Sequence, residues 1–174
     1  GYLGIDNGTQ GLTVLLVDED LQVICQGEAT YGYVPGLEEG CYEQVAQDWQ
    51  DALKSSMDQI RRSPTNSSNS TTGSASASNS GTIMDEYEVL AIGIAGQMHG
   101  QVMVDAQGHV IGTVRLWCDA RNQPEADELT ELFQVGHIPK RCTIARWLWT
   151  IRNQPELAKQ CTFLTTPAGW LSFQ

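Results

Sequence analysis

The sequence predicts an α/β layer architecture, a mixed five-stranded sheet with flanking helices. Three observations predict it. Apolar runs at residues 2–5 and 12–17 and an apolar–polar alternation over 21–29 are separated by short turn sequences, giving three antiparallel strands. Val45, Trp49, Ala52, Leu53, Met57 and Ile60 then recur at helical spacing. A continuous apolar run, Val89-Leu90-Ala91-Ile92-Gly93-Ile94-Ala95, follows and reads as a strand buried on both faces.

Taken in order, the first strand runs into Asp6-Asn7-Gly8-Thr9-Gln10-Gly11, a tight reversal with two glycines and a carboxylate at its entry. Asn-Gly is a strong hairpin signal in itself. A run of turn amides also makes an anion-binding concavity, and an adjacent Asp can hold a hydrated Mg²⁺ beside phosphates. Asp18-Glu19-Asp20 turns the chain into the third strand, and Tyr31 to Gly40 is a Gly-, Pro- and Tyr-rich loop. An amphipathic helix follows over about 45–62. From 63 to 82 Ser supplies eight of twenty residues, a composition that cannot bury enough apolar surface to offset its ordering entropy; a disordered insertion is expected. The buried strand ends in Gly96-Gln97-Met98-His99-Gly100. Residues 101–105 and 109–111 suggest a hairpin, and 114–117 a short strand leading into Cys118-Asp119-Ala120-Arg121. Pro124 opens a helix to Phe133. Ile144, Trp147, Leu148 and Ile151 mark another, stopped by Asn153-Gln154-Pro155. A short helix at 155–160, a short strand at 162–164 and a helical start at Pro167 complete the chain.

A length of 174 residues suits one domain. Ten Lys and Arg against 21 Asp and Glu leave a net charge of −11, which argues against nucleic acid and anionic membrane surfaces as partners. A nucleotide stays possible, since backbone amides and a metal can carry phosphate. No apolar run reaches the roughly 20 residues that span a bilayer, and no signal peptide is evident. The five cysteines are widely spaced and show neither a zinc pattern nor a disulfide framework, so a reduced, cytoplasmic protein is expected. Three glycosylation sequons are present, a motif that arises often by chance.

In α/β sheets ligands collect at the carboxyl ends of central strands. If the first and the buried strand are neighbours, the Asp6 reversal and the Met98-His99 corner meet in one crevice. Here the pieces resemble a known family. Gly4-Ile5-Asp6-Asn7-Gly8-Thr9 looks like the first phosphate loop of the sugar-kinase/actin superfamily. Gly40-Cys41-Tyr42-Glu43-Gln44 with Asp48-Trp49 is similar to a segment before the first long helix of xylulokinases. Gly93 to Gly100 matches their sugar-site strand and loop, and Leu116-Trp117-Cys118-Asp119-Ala120-Arg121 resembles the Trp-x-Asp-x-Arg motif of FGGY carbohydrate kinases.

The resemblance implies a ribonuclease H-like, actin-like ATPase domain and an ATP- and Mg²⁺-dependent kinase acting on a primary hydroxyl of a ketopentose. Asp6 would order Mg²⁺ and nucleotide phosphate, with Gly8, Thr9 and Thr13 beside it. Met98, His99, Trp117 and Asp119 make up the sugar-site set, Trp117 as a wall and Asp119, with Arg121, bracing it. Each also has a plainer role open to it: a strand-end histidine, core Met and Trp, a local ion pair. Two departures stand out. Thr13 occupies a position where the family usually carries Lys or Arg, and residues 144–149 replace its usual Ala-Pro-Lys segment. The general-base Asp and the nucleotide domain are expected beyond residue 174, so the chain is expected to be the amino-terminal part of a longer kinase and inactive alone. Its partners would be the ketopentose and its own second domain, with a homodimer left open. A catalytically degenerate sugar-binding homologue and another actin-like ATPase are the alternatives.

Overall fold

A computed structural model describes residues 1–64 and 82–174. β1 (Tyr2–Asn7) pairs antiparallel with β2 (Gly11–Val17), and β2 with β3 (Val23–Thr30). β4 (Glu43–Gln44) precedes the long helix α1 (Ala46–Arg62), and α2 (Ile83–Glu86) is a single turn. β5 (Ala91–Gly96) lies parallel to β1, so the main sheet has the order β3-β2-β1-β5. β6 (Val102–Val104) and β7 (Val114–Arg115) precede helices α3 (Gln123–Phe133), α4 (Thr143–Asn153) and α5 (Pro155–Gln160). β8 (Phe163–Thr165) and α6 (Pro167–Leu171) follow.

Strand alternation selects the buried face. Leu3 and Ile5 of β1 and Leu12, Val14 and Leu16 of β2 point one way, and α1 lays Ala46, Trp49, Ala52 and Ile60 against them. Each fully buried Leu, Val or Ile among them contributes roughly 1.5–3 kcal/mol, and each Ala less. The helix approaches β3 so closely that a Cβ at Gly27 would stand 2.1 Å from the Ser56 carbonyl oxygen. The opposite face, with Gly4, Asp6, Thr13 and Leu15, borders an open cavity of about 540 Å³.

Several expectations need correction. Among the described residues the main sheet has four strands, not five; Glu43–Gln44 and Val114–Arg115 pair with each other instead, as do β6 and β8. The run at 89–95 is apolar but not buried on both faces. It forms the outer strand of that sheet, and Ile92 is 59 % exposed. The hairpin expected at 101–111 forms in short form: an antiparallel bridge joins Val104 to Val110, the Asp105 N–H donates to the His109 carbonyl and the Ile111 N–H to the Met103 carbonyl, each at 2.9 Å, while the other edge of β6 pairs with β8. The Ser-rich insertion falls, from 65 to 81, outside the described residues. The helices fall within a residue or two of expectation except α2 (Ile83–Glu86), which was not expected. No helix among the described residues is long and apolar enough to cross a membrane, and the five cysteines are free.

Candidate functional site

The site is built at the carboxyl ends of β1 and β5. Parallel pairing sets Asp6 beside Ala95 and Asn7 beside Gly96, so the loops after the two strands leave the sheet together. The Gln97 N–H donates to the Asn7 carbonyl at 2.7 Å and closes the join. Asp6 itself is the exposed penultimate residue of β1, so the reversal is shorter than the sequence suggests, with the Gly8 N–H donating to the Gly11 carbonyl at 3.0 Å. Tyr31 braces this turn. Its hydroxyl donates into the turn's mouth, with the carbonyls of Gly8 at 2.6 Å and Gly11 at 2.9 Å and the Asn7 amide oxygen in contact. Burial, and secondarily the Asp6 charge, pushes the Tyr31 hydroxyl well above the usual phenol range, so it stays protonated.

A cleft of about 540 Å³ opens between the two loops. Asp6, Gly8 and Thr9 form one side; Gly96, Gln97 and Met98 form the other; Trp117 and Arg141 close the end. The Trp117 indole N–H donates to the Thr9 hydroxyl at 3.1 Å, fixing the ring across the cleft from Met98, which is 60 % exposed. Two buried amides tie the sides together. Gln44 donates to the Thr9 carbonyl at 2.7 Å and accepts from Gln97 Nε2 at 2.8 Å and from Trp49 Nε1 at 3.1 Å. An apolar ring, a thioether and several fixed polar groups around one cleft are what a polyol needs.

The other sequence-predicted residues, His99, Asp119 and Thr13, are not among those that line this cleft. His99 is the next residue in the loop after Met98 and takes a left-handed backbone (φ 56°), a conformation that costs a non-glycine residue roughly 1 kcal/mol or more. Its carbonyl is held by the buried Arg146 guanidinium. Burial, then the Arg146 and Arg141 charges, lower the His99 pKa from 6.5, which favours the neutral imidazole. Gly100 follows because a Cβ there would stand 2.6 Å from Pro167 Cγ. Thr13 is the cross-strand partner of Asp6 but borders the cavity on the open sheet face rather than the Met98 cleft.

Asp119 stands behind the wall. It is fully buried, and its carboxylate accepts from Tyr42 N–H at 2.9 Å, Arg115 Nη2 at 3.0 Å, and Arg121 Nε and Nη2 at 3.1 and 2.6 Å. Arg121 continues to Glu43, and both guanidiniums lie over the Trp149 ring, at 4.0 Å for Arg115 and 5.3 Å for Arg121. Burial alone would raise the Asp119 pKa; donors from Arg121, the Tyr42 N–H and Arg115 outweigh it and hold the carboxyl at about 2. Its oxygens are therefore engaged by the protein, and it braces the Leu116-Trp117 wall.

Sequence reasoning passed over four contributors, among them Gln97, which stood in a motif without a role. Gln44 sat inside a quoted motif but carried no assigned role, and Arg141 and Tyr31 gave no local signal. No group of three or more His, Cys, Asp or Glu able to hold a metal occurs among the described residues. Asp6 is a lone exposed carboxylate on the cleft, which fits an Mg²⁺ held mainly by phosphate oxygens and water rather than a protein cage.

Comparison with known proteins adds an independent line. The model for the FGGY family of carbohydrate kinases, N-terminal domain, matches residues 1–174. A xylulose kinase of Haemophilus influenzae is 33 % identical over 191 residues, covering 99 % of this chain and 34 % of the relative. One from Streptomyces coelicolor is 26 % identical over 180 residues, covering 98 % and 32 %. The crystal structure of a xyloylose kinase from Brucella ovis superposes with a TM-score of 0.82 at 23 % identity, over 99 % of this chain and 33 % of that one. The chain thus spans about a third of the length of the curated relatives it matches. The shared fold is the actin-like ATPase fold of sugar kinases.

Proposed function

The chain belongs to the FGGY family of carbohydrate kinases, as its N-terminal domain, and from that premise we propose that the full-length protein transfers the γ-phosphoryl group of ATP to a primary hydroxyl of a ketopentose such as xylulose. The observation that carries this reading is the shared cleft: Asp6 and the Met98 loop leave adjacent parallel strands and face one cavity. The names of the relatives, xylulose kinases, support the substrate class.

In this reading the sugar lies against Trp117 and Met98, with His99 neutral and able both to donate and to accept. Asp6 and the turn amides of Gly8 and Thr9 orient the phosphates. Mg²⁺, when bound, neutralises the charge that develops on the transferring group. The residues of this chain supply positioning and electrostatics, which is most of what phosphoryl transfer asks of a protein. The base that takes the hydroxyl proton, and the adenosine site, belong to a second domain in the remainder of the full protein. The 174-residue chain alone has no turnover, and the enzyme works in the cytoplasm.

One observation favours a second reading, a sugar-binding homologue without turnover. Thr13, directly across from Asp6, places no cation beside the phosphate turn. A coupled ATPase assay of the full-length protein with a panel of ketoses separates the two. Ketopentose-stimulated turnover supports the kinase; calorimetric sugar binding without any turnover supports the homologue.

A further inference from the structure

Behind Trp117 lies a second cavity of about 410 Å³ that shares Trp117 and Arg141 with the sugar cleft. Its remaining lining includes Gln123, His137 and Lys140, and no carboxylate. In a chain with 21 acidic and ten basic side chains, that is an unusual local balance. Among the described residues, five of the ten Lys and Arg side chains form ion pairs; Lys140 and Arg141 belong to the five that form none, with Lys54, Arg62 and Arg146, and they are the two that border this cavity. The nearby carboxylates are engaged elsewhere, since Asp119 and Glu43 hold Arg115 and Arg121.

The loop that presents these cations is pinned along its length. The Ile138 N–H donates to Thr130 Oγ1 at 2.8 Å, and Asn122 Nδ2 donates to the Lys140 carbonyl at 2.6 Å. The buried Arg146 holds the Arg141 carbonyl, and the Cys142 N–H closes a turn on the Pro139 carbonyl at 2.9 Å. These residues therefore line, from a fixed backbone, a cavity that shares Trp117 and Arg141 with the polyol cleft. Cations left unpaired on a rigid frame are arranged for a bound anion.

We propose that His137, Lys140 and Arg141 form an oxyanion-binding arm of the cleft, which takes the carboxylate or phosphoryl group of a polyol lying against Trp117. The polyol half of this inference rests on the kinase reading; the anion half does not. A ligand of this class reaches past the indole edge, with its hydroxyls in the first cavity and its charged end in the second. Arg141, which borders both, contacts it in either position.

Calorimetric titration of the full-length protein with D-xylulose, D-gluconate and D-ribose 5-phosphate, at low and high salt, tests it. At least one anionic probe is expected to bind, to weaken with salt, and to lose roughly tenfold or more in affinity in both His137→Gln/Lys140→Gln and Arg141→Gln. D-Xylulose affinity in the His137→Gln/Lys140→Gln protein is expected to move less than about twofold. Loss for gluconate alone identifies a carboxylate arm, loss for the sugar phosphate alone a phosphate arm, and loss for both a general oxyanion arm. The proposal is overturned if neither anion binds, if the variants bind the anions like the wild type, or if all three probes weaken together. Should D-xylulose fail to bind the wild type, the kinase reading fails while the anion comparison still reads out.

Discussion

Replacing Asp119 with Ala removes the one carboxylate shared by Arg115, Arg121 and the Tyr42 N–H. Asp119 is fully buried and the Arg115 side chain is 4 % exposed, so the cation left behind cannot recover water. Breaking a buried pair from one side costs about 3–5 kcal/mol. The charged form alone accounts for part of this: a carboxyl held at about 2 instead of 3.8 stabilises the folded state by about 2 kcal/mol. The sign follows from the depressed pKa. That contribution is complete above about pH 4 and is lost as pH falls through about 2. Glu128→Ala is the control, because its pair with Arg152 joins side chains 50 % and 45 % exposed and should contribute little, since solvent screens it. Urea unfolding of the two variants beside wild type measures both. A loss below about 1 kcal/mol for Asp119→Ala, or a loss matching that of Glu128→Ala, would refute the view that a buried ion network holds the Trp117 wall.

Two further outcomes follow from the packing and charge of the site. Gly27→Ala forces a Cβ to within 2.1 Å of the Ser56 carbonyl oxygen, a backbone atom that can yield only if α1 shifts, so a loss of about 1–3 kcal/mol in chemical denaturation is expected; an unchanged midpoint would contradict the close approach of helix and strand. With the His99 pKa lowered from 6.5, the sugar KM of the full-length enzyme should rise toward acid pH with an inflection below 6.5, as the imidazole protonates, and Arg141→Gln should move that inflection upward; an inflection above pH 6.5 in wild type would contradict the lowered pKa.

Much of the fold was legible because local pattern and burial agree. Alternation in β1 and β2 and the helical spacing from Trp49 to Ile60 each answer to one buried face, which the structure supplies. The Val89–Ala95 run misled because an apolar strand reads the same whether covered or not. Its exposure depends on which strand ends the sheet, a property of topology rather than composition. The short hairpin at 101–111 was legible, but the pairing of β6 with the distant β8 was not, because no local signal announces that partner. In the site, Asp6, Gly8, Thr9, Met98 and Trp117 were legible through motif and spacing, and they share one cavity. Gln44, Tyr31 and Arg141 were not, because their roles come from hydrogen bonds and walls formed between distant segments. The same distance effect separates Asp119, engaged on every side by the protein, from the cleft it supports.

The central claim is that the turn after Asp6 and the Met98 corner serve a sugar and a nucleotide phosphate in one cleft. Nuclear relaxation of a ¹³C-labelled ketopentose bound to the full-length protein, with Mn²⁺ and a non-hydrolysable ATP analogue, tests it most directly. The account predicts strong paramagnetic broadening of the carbon bearing the primary hydroxyl, lost in Asp6→Asn while sugar binding persists. A sugar that binds without broadening, or broadening that Asp6→Asn leaves intact, would contradict it.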